Sequence, residues 1–173
     1  MKCPSCGHQN LPGADACEQC LTSLTHEDIP KPHSGVERSL MEEQIKSLQP
    51  SKPLTVDLKT SLKDATQMMR KNGIGCVLIT DHDGRLAGIL TERDLLHKAA
   101  GQHLDLGQCL VEDFMSQTPE SSKSEHPLGY AIHRMIISDI RYLPIVDNSD
   151  RPEGIVSSRD IITYMAKQFD AHE

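Results

Sequence analysis

The chain has 173 residues, 37% of them hydrophobic, and 18 Lys and Arg stand against 25 Asp and Glu for a net charge of −7. That balance excludes a protein whose main partner is a nucleic-acid backbone, although it leaves room for gripping a single phosphate. The longest apolar runs, CVLIT and MII, fall far short of the ~20 residues that cross a bilayer, and Met1 leads into polar residues, so a cytoplasmic protein with no membrane partner is expected.

The chain begins with Cys3, Cys6, Cys17 and Cys20, two CxxC pairs joined by ten residues. Each CxxC turn lets two thiolates converge on one ion, and four thiolates about 2.3 Å from a tetrahedral Zn²⁺ make a closed structural site. Gly7 suits the positive φ that such a turn needs. The segment resembles the short zinc ribbons of the form CPxCGxxN…CxxC; it departs at Leu21, where they carry Gly, so a less regular second turn is expected. Two disulfides would need an oxidising compartment, a redox CxxC would need a strand before it, and a rubredoxin-like iron site would want an aromatic core, which residues 1–25 lack. Structural zinc is the reading that remains, with His8 outside the completed shell. Only Lys2 faces Asp15 and Glu18 here, so the ribbon offers no basic face and protein contact is the better expectation.

Residues 25–35, THEDIPKPHSG, have the composition of an exposed linker, and His26 and His33 are read as solvated. Val36, Leu40, Met41, Gln44, Ile45 and Leu48 then recur at helical spacing, with Ser34 as N-cap. The expected division is 1–24 zinc ribbon, 25–44 linker and amphipathic helix, 45–105 first repeat and 106–173 second repeat.

The rest of the chain says one thing twice, at a constant offset of 66 positions. GILTERD at 88–94 becomes GIVSSRD at 154–160, and Leu62, Ala65, Met69, Ile79, Asp81 and Arg85 meet Leu128, Ala131, Met135, Ile145, Asp147 and Arg151. In the first copy Leu54 to Leu58 alternates as a strand, and Ser61 caps a helix. CVLIT and RLAGIL make a hairpin about DHDG, and a second helix starts at Thr91. The second copy repeats this order, β-α-β-β-α, through Leu128 to Ile137, YLPIV, PEGIV and the helix after Ser157. Its first strand is the exception, because PESSKSEH (119–126) lacks the apolar alternation of PLTVDLKT. Ile45 and Leu48 align with Val111 and Phe114, so one short turn precedes each copy.

This order, together with IRYLPIVD and the doubled G-I-[LV]-[TS]-x-R-D, resembles a tandem pair of cystathionine-β-synthase (CBS) domains over about residues 45–168. The resemblance implies an α/β (α+β) fold of two repeats packed as one module. It further implies a homodimer and a regulatory rather than catalytic role, with an adenosyl compound such as AMP, ADP, ATP or S-adenosylmethionine bound between the repeats. By that likeness Asp94 and Asp160 address ribose, Thr91 and Ser157 address phosphate, and Arg93 and Arg159 reach phosphate too. Arg141, just before a strand of the second copy, adds a cation where the first copy has Gly75, so the two sites are expected to be unequal.

The residues alone leave other readings open. Thr91 with Asp94, and Ser157 with Asp160, also stand as N-cap and N3 of a helix, a capping box that explains a helix start without any ligand. The chain would then be an assembly scaffold. An enzyme using the metal is the third reading, disfavoured because four cysteines close the coordination shell and no nucleophile elbow, P-loop or HExxH is present.

Overall fold

A computed structural model describes residues 2–3, 5–11, 14–24 and 42–170, the side chains of 169 and 170 excepted. The expected linker, with His26 and His33, and the Ser34 cap with most of the amphipathic helix therefore lie outside the described residues. Where that helix was expected to end, Ile45–Leu48 forms a single 3-10 turn. The chain folds into two compact units that are discontinuous in sequence, one of Met1–Pro50, Ser122–Leu143 and Val156–Glu173, the other of Ser51–Ser121 and Pro144–Ile155.

The second of these units contains the first repeat from Ser51 onward. Strands β1 (Thr55–Asp57), β2 (Cys76–Thr80), β3 (Leu86–Thr91) and β4 (Ser116–Gln117) form one sheet in chain order. β1 runs parallel to β2 and the other pairs are antiparallel, as a helical crossover and a tight hairpin require. The crossover is α1 (Leu62–Asn72), which Ser61 caps by accepting the Asp64 amide at 3.1 Å and which Gly73 ends at φ +62°. Its apolar stripe, Leu62, Ala65 and Met69, is buried with Val56, Val77, Ile79, Leu90 and Val111. Two further helices follow, α2 (Glu92–Lys98) and the one-turn α3 (Val111–Phe114).

The second repeat supplies α4 (Leu128–Ile137), the paired strands β5 (Tyr142–Val146) and β6 (Pro152–Ser157), and α5 (Ser158–Asp170). The hairpin turns match across the offset. Asp81 Oδ1 accepts the amides of Asp83 and Arg85, both at 2.9 Å, and Asp147 Oδ1 accepts those of Ser149 at 2.7 Å and Arg151 at 2.9 Å. A repeated, half-buried aspartate thus has a backbone job here, that of closing a turn.

Residues 119–126 form no strand of this sheet, in keeping with their lost alternation. Ser122, in register with the buried Val56, is itself only 2% exposed and sits 2.9 Å from His126 Nδ1, so a polar pair replaces an apolar contact. Among the described residues no helix is long and apolar enough to cross a membrane.

Candidate functional site

The four cysteines converge. Cys3, Cys6, Cys17 and Cys20 are all buried, and their Sγ atoms lie within 4.8 Å of one another. Cys3 and Cys20 sulfurs are 3.6 Å apart and those of Cys6 and Cys17 3.5 Å, far beyond a disulfide bond and near the ~3.8 Å edge of a tetrahedron with 2.3 Å metal–sulfur bonds. All six cysteines of the chain are free thiols. Burial pushes the Cys3 and Cys6 thiols up. Burial also acts on Cys17, but the amides of Cys20 and Gln19 and the Asn10 side chain overcome it and hold that thiol near 6. This donor set fits zinc, with Asn10 as the outer support: its Nδ2 reaches Cys17 Sγ at 3.5 Å while its Oδ1 takes the Glu18 amide at 3.0 Å.

The two knuckles are built alike, contrary to the irregular second turn expected from Leu21. Gly7 N–H donates to Cys3 O and Leu21 N–H to Cys17 O, each at 2.9 Å, and both residues are left-handed, at φ +75° and +59°. Leu21 therefore bears a conformation that disfavours a side chain, while its own side chain is 81% exposed and packs on nothing that would compensate. Leu21→Gly is expected to stabilise the metal-bound knuckle by about 0.5–1 kcal/mol, after allowing for glycine's added freedom in the unfolded chain. Chelator competition against wild type measures it, and an unchanged or weaker grip on metal would contradict the strain.

The cysteine cluster is not a free appendage. Its core takes in Leu24 and Tyr130, the latter on α4 and only 6% exposed. The His126 ring meets Tyr130 edge-on at 4.9 Å, and the Arg134 guanidinium lies 5.9 Å from its centroid. At the repeat offset Tyr130 answers to Asp64, an exposed residue of the first helix. That swap of a polar helix-start residue for an aromatic one is the signal by which the docking could have been read.

The doubled helix starts are capping boxes in both copies. Thr91 N donates to Asp94 Oδ2 at 3.0 Å, Thr91 Oγ1 to the same oxygen at 2.6 Å, and the Asp94 amide returns to Thr91 Oγ1 at 3.2 Å. Ser157 and Asp160 repeat the three bonds at 2.7, 2.7 and 3.2 Å. The residue before each second strand is fastened to the helix start as well: Glu92 N donates to Gly75 O and Ser158 N to Arg141 O, each at 2.9 Å. So Arg141, Ser157, Arg159 and Asp160 are neighbours on one framework. The side chains of Arg141 and Arg159 are exposed and make no hydrogen bond or ion pair among the described residues.

The copies differ at the outer oxygen of the aspartate. Asp94 Oδ1 receives Lys98 Nζ and Ser116 Oγ, both at 3.0 Å, and Lys98 also reaches the carbonyls of Phe114 at 2.6 Å and Met115 at 3.1 Å. Burial would raise the Asp94 carboxyl, but these donors and Thr91 hold it below the usual carboxylate range. Asp160 Oδ1 has no partner among the described residues. Beside Asp94, Met115 lies over Gly88, such that a methyl added to Gly88 would meet its Sδ at 2.2 Å. Neither Lys98, Ser116 nor Met115 was singled out from the sequence, because each lies outside the doubled motif.

Comparison with known proteins agrees with this anatomy. The CBS domain matches the chain at residues 45–101 and again at 111–167. The CBS domain-containing protein CBSCBSPB1 of Arabidopsis thaliana is 31% identical over 128 residues, which are 74% of this chain and 23% of that protein. The chain thus spans about a quarter of the length of this curated relative. Among solved structures, the CBS domain pair of protein MJ0100, in complex with 5′-methylthioadenosine and S-adenosyl-L-methionine, is similar with a TM-score of 0.65 and 26% identity, over 73% of this chain and 98% of that one. The CBS domain protein PAE2072 from Pyrobaculum aerophilum, complexed with AMP, shares the fold with a TM-score of 0.64 at 22% identity, over 72% and 99%. Matched twice along most of its length, and with the order α-β-β-α present in both copies, the chain belongs to the CBS-domain family.

Proposed function

We propose that the chain is a regulatory module that binds an adenine nucleotide or related adenosyl compound and carries a structural Zn²⁺ on Cys3, Cys6, Cys17 and Cys20. The observation that carries this reading is the segment Ser157–Asp160 with Arg141 fastened beside it. A carboxylate oxygen able to accept ribose hydroxyls, a serine hydroxyl at the N-terminus of the 13-residue α5, and two uncommitted guanidinium groups are the chemistry a nucleoside phosphate needs. Thr91, Arg93 and Asp94 form the corresponding segment of the first repeat. The adenosyl ligands of the MJ0100 domain pair support the ligand class. Binding regulates only if it favours one arrangement of the module over another, and the partner that reads that arrangement is proposed to be a protein, reached through the zinc ribbon.

Homodimerisation through the CBS repeats belongs to the same proposal. Ile136 and Ile137 on α4 and Ile162 on α5 are 73%, 66% and 66% exposed, where the first copy carries Arg70, Lys71 and Leu96. The same apolar residues favour the second reading, an assembly scaffold whose capping boxes are only caps.

Calorimetry separates the two. AMP, ADP, ATP or S-adenosylmethionine is expected to bind, and Arg141→Ala is expected to weaken AMP by about tenfold, roughly the worth of one charge-assisted hydrogen bond, with little effect on adenosine. Adenosine phosphates inert at millimolar concentration would leave the scaffold reading standing. Mass spectrometry of small molecules released from the purified protein identifies the ligand.

A further inference from the structure

We infer that the module takes one adenosyl ligand per chain, at the second repeat, because Lys98 and Ser116 already occupy in Asp94 the oxygen that a ribose diol would need. The inference rests on the adenosyl-binding reading and narrows it to one of two related segments.

A carboxylate offers about four lone-pair positions. In Asp94 all are used: Thr91 N and Oγ1 on Oδ2, Lys98 Nζ and Ser116 Oγ on Oδ1. In Asp160 only the two on Oδ2 are used, by Ser157 N and Oγ. A diol donating two hydroxyls therefore finds room on Asp160 and none on Asp94. Lys98 is not at leisure to move away, since an ammonium has three donors and its three acceptors are Asp94 Oδ1, Phe114 O and Met115 O. Leaving would also strip two carbonyls at the end of α3 of their partner.

The difference is written in the sequence at the repeat offset. Lys98 corresponds to Tyr164. By strand pairing Ser116 stands opposite Ile89 of β3 and Ser51 opposite Ile155 of β6, so a serine is kept at that place in both copies. The second repeat kept the strand contact and the serine but not the ammonium that clamps Asp94. Gly75, opposite Arg141, deprives the first segment of a phosphate cation as well.

The test is calorimetric titration of the full, zinc-loaded chain with AMP, together with a melting cycle. Wild type is expected to saturate at one AMP per chain, and Asp160→Asn to lower affinity at least tenfold with melting temperature nearly kept; Ser157→Ala serves if the asparagine variant folds poorly. Saturation at two per chain, or full-affinity binding surviving in Asp160→Asn, overturns the inference. The clamp is read without ligand: Asp94→Asn and Lys98→Met are expected to lower the melting temperature by less in combination than their separate drops added, and strict additivity overturns it. Absence of binding by AMP, ADP, ATP and S-adenosylmethionine refutes instead the adenosyl reading itself, with the melting cycle still deciding the clamp.

Discussion

Cys17→Ser is expected to drop the zinc content from about one ion per chain to nearly none and to unfold residues 2–24. Cys17 is fully buried, lies 3.5 Å from Cys6 across the cluster, and receives the Asn10 amide. A serine hydroxyl stays protonated near neutral pH and is a poor ligand where three thiolates remain. Among the described residues the segment's core besides the cysteines is Leu24, the partly buried Ala14 and the borrowed Tyr130, and metal binding in isolated zinc fingers supplies about 10–16 kcal/mol of folding free energy. Loss of zinc should therefore be felt in the second repeat, whose Tyr130 would pass from buried to exposed. The chain has three tyrosines and no tryptophan, so tyrosine fluorescence reports this directly. Elemental analysis and fluorescence of Cys17→Ser beside a Cys109→Ser control settle the matter: zinc retained in the first, or lost equally in both, would refute the assignment.

Gly88→Ala is expected to cost about 1–3 kcal/mol, the usual penalty for overfilling a packed position. The added carbon would stand 2.2 Å from Met115 Sδ, 3.0 Å from its Cγ and 3.2 Å from its Cε, so the whole side chain must turn away. Turning it disturbs the carbonyl that Lys98 holds and the pairing of Ser116 with Ile89. The partner experiment is Met115→Ala in the same background. Chemical denaturation should show the alanine pair more stable than Gly88→Ala alone; if removing Met115 brings no relief, the penalty lies in the strand rather than in that contact.

The repeat made much of the fold legible. A stretch such as CVLIT is ambiguous between strand and buried helix by itself, but its reappearance as YLPIV between matching helices resolves the ambiguity. Ser61 and the αL Gly73 mark the ends of α1 by local chemistry, which a sequence displays openly. β4 was not legible, since its two residues are exposed and exist as a strand only because β3 offers them partners. The proposed ligand site was half legible. Repetition pointed to Thr91, Asp94, Ser157 and Asp160, yet the turn aspartates Asp81 and Asp147 repeat equally well for purely backbone reasons. What distinguishes Asp94 from Asp160 is the pair of bonds on Oδ1, one from Lys98 a turn away and one from a hydroxyl 22 residues further along the chain, brought back by α3 and β4. Such a contact has no local signature. Comparison of positions outside the motif, Lys98 with Tyr164, would have exposed the lysine alone.

The burial of Tyr130 in the cysteine cluster also imposes an order of events during synthesis. Tyr130 follows Cys20 by 110 residues, so at ribosomal speeds about 5–20 s separate the emergence of the two. Throughout that interval the nascent knuckles lack the aromatic ring that later closes their core. With the zinc proposed here the ion alone must hold them, and a cell starved of zinc would meet the defect first on the ribosome, with reactive thiols exposed before any repeat has formed.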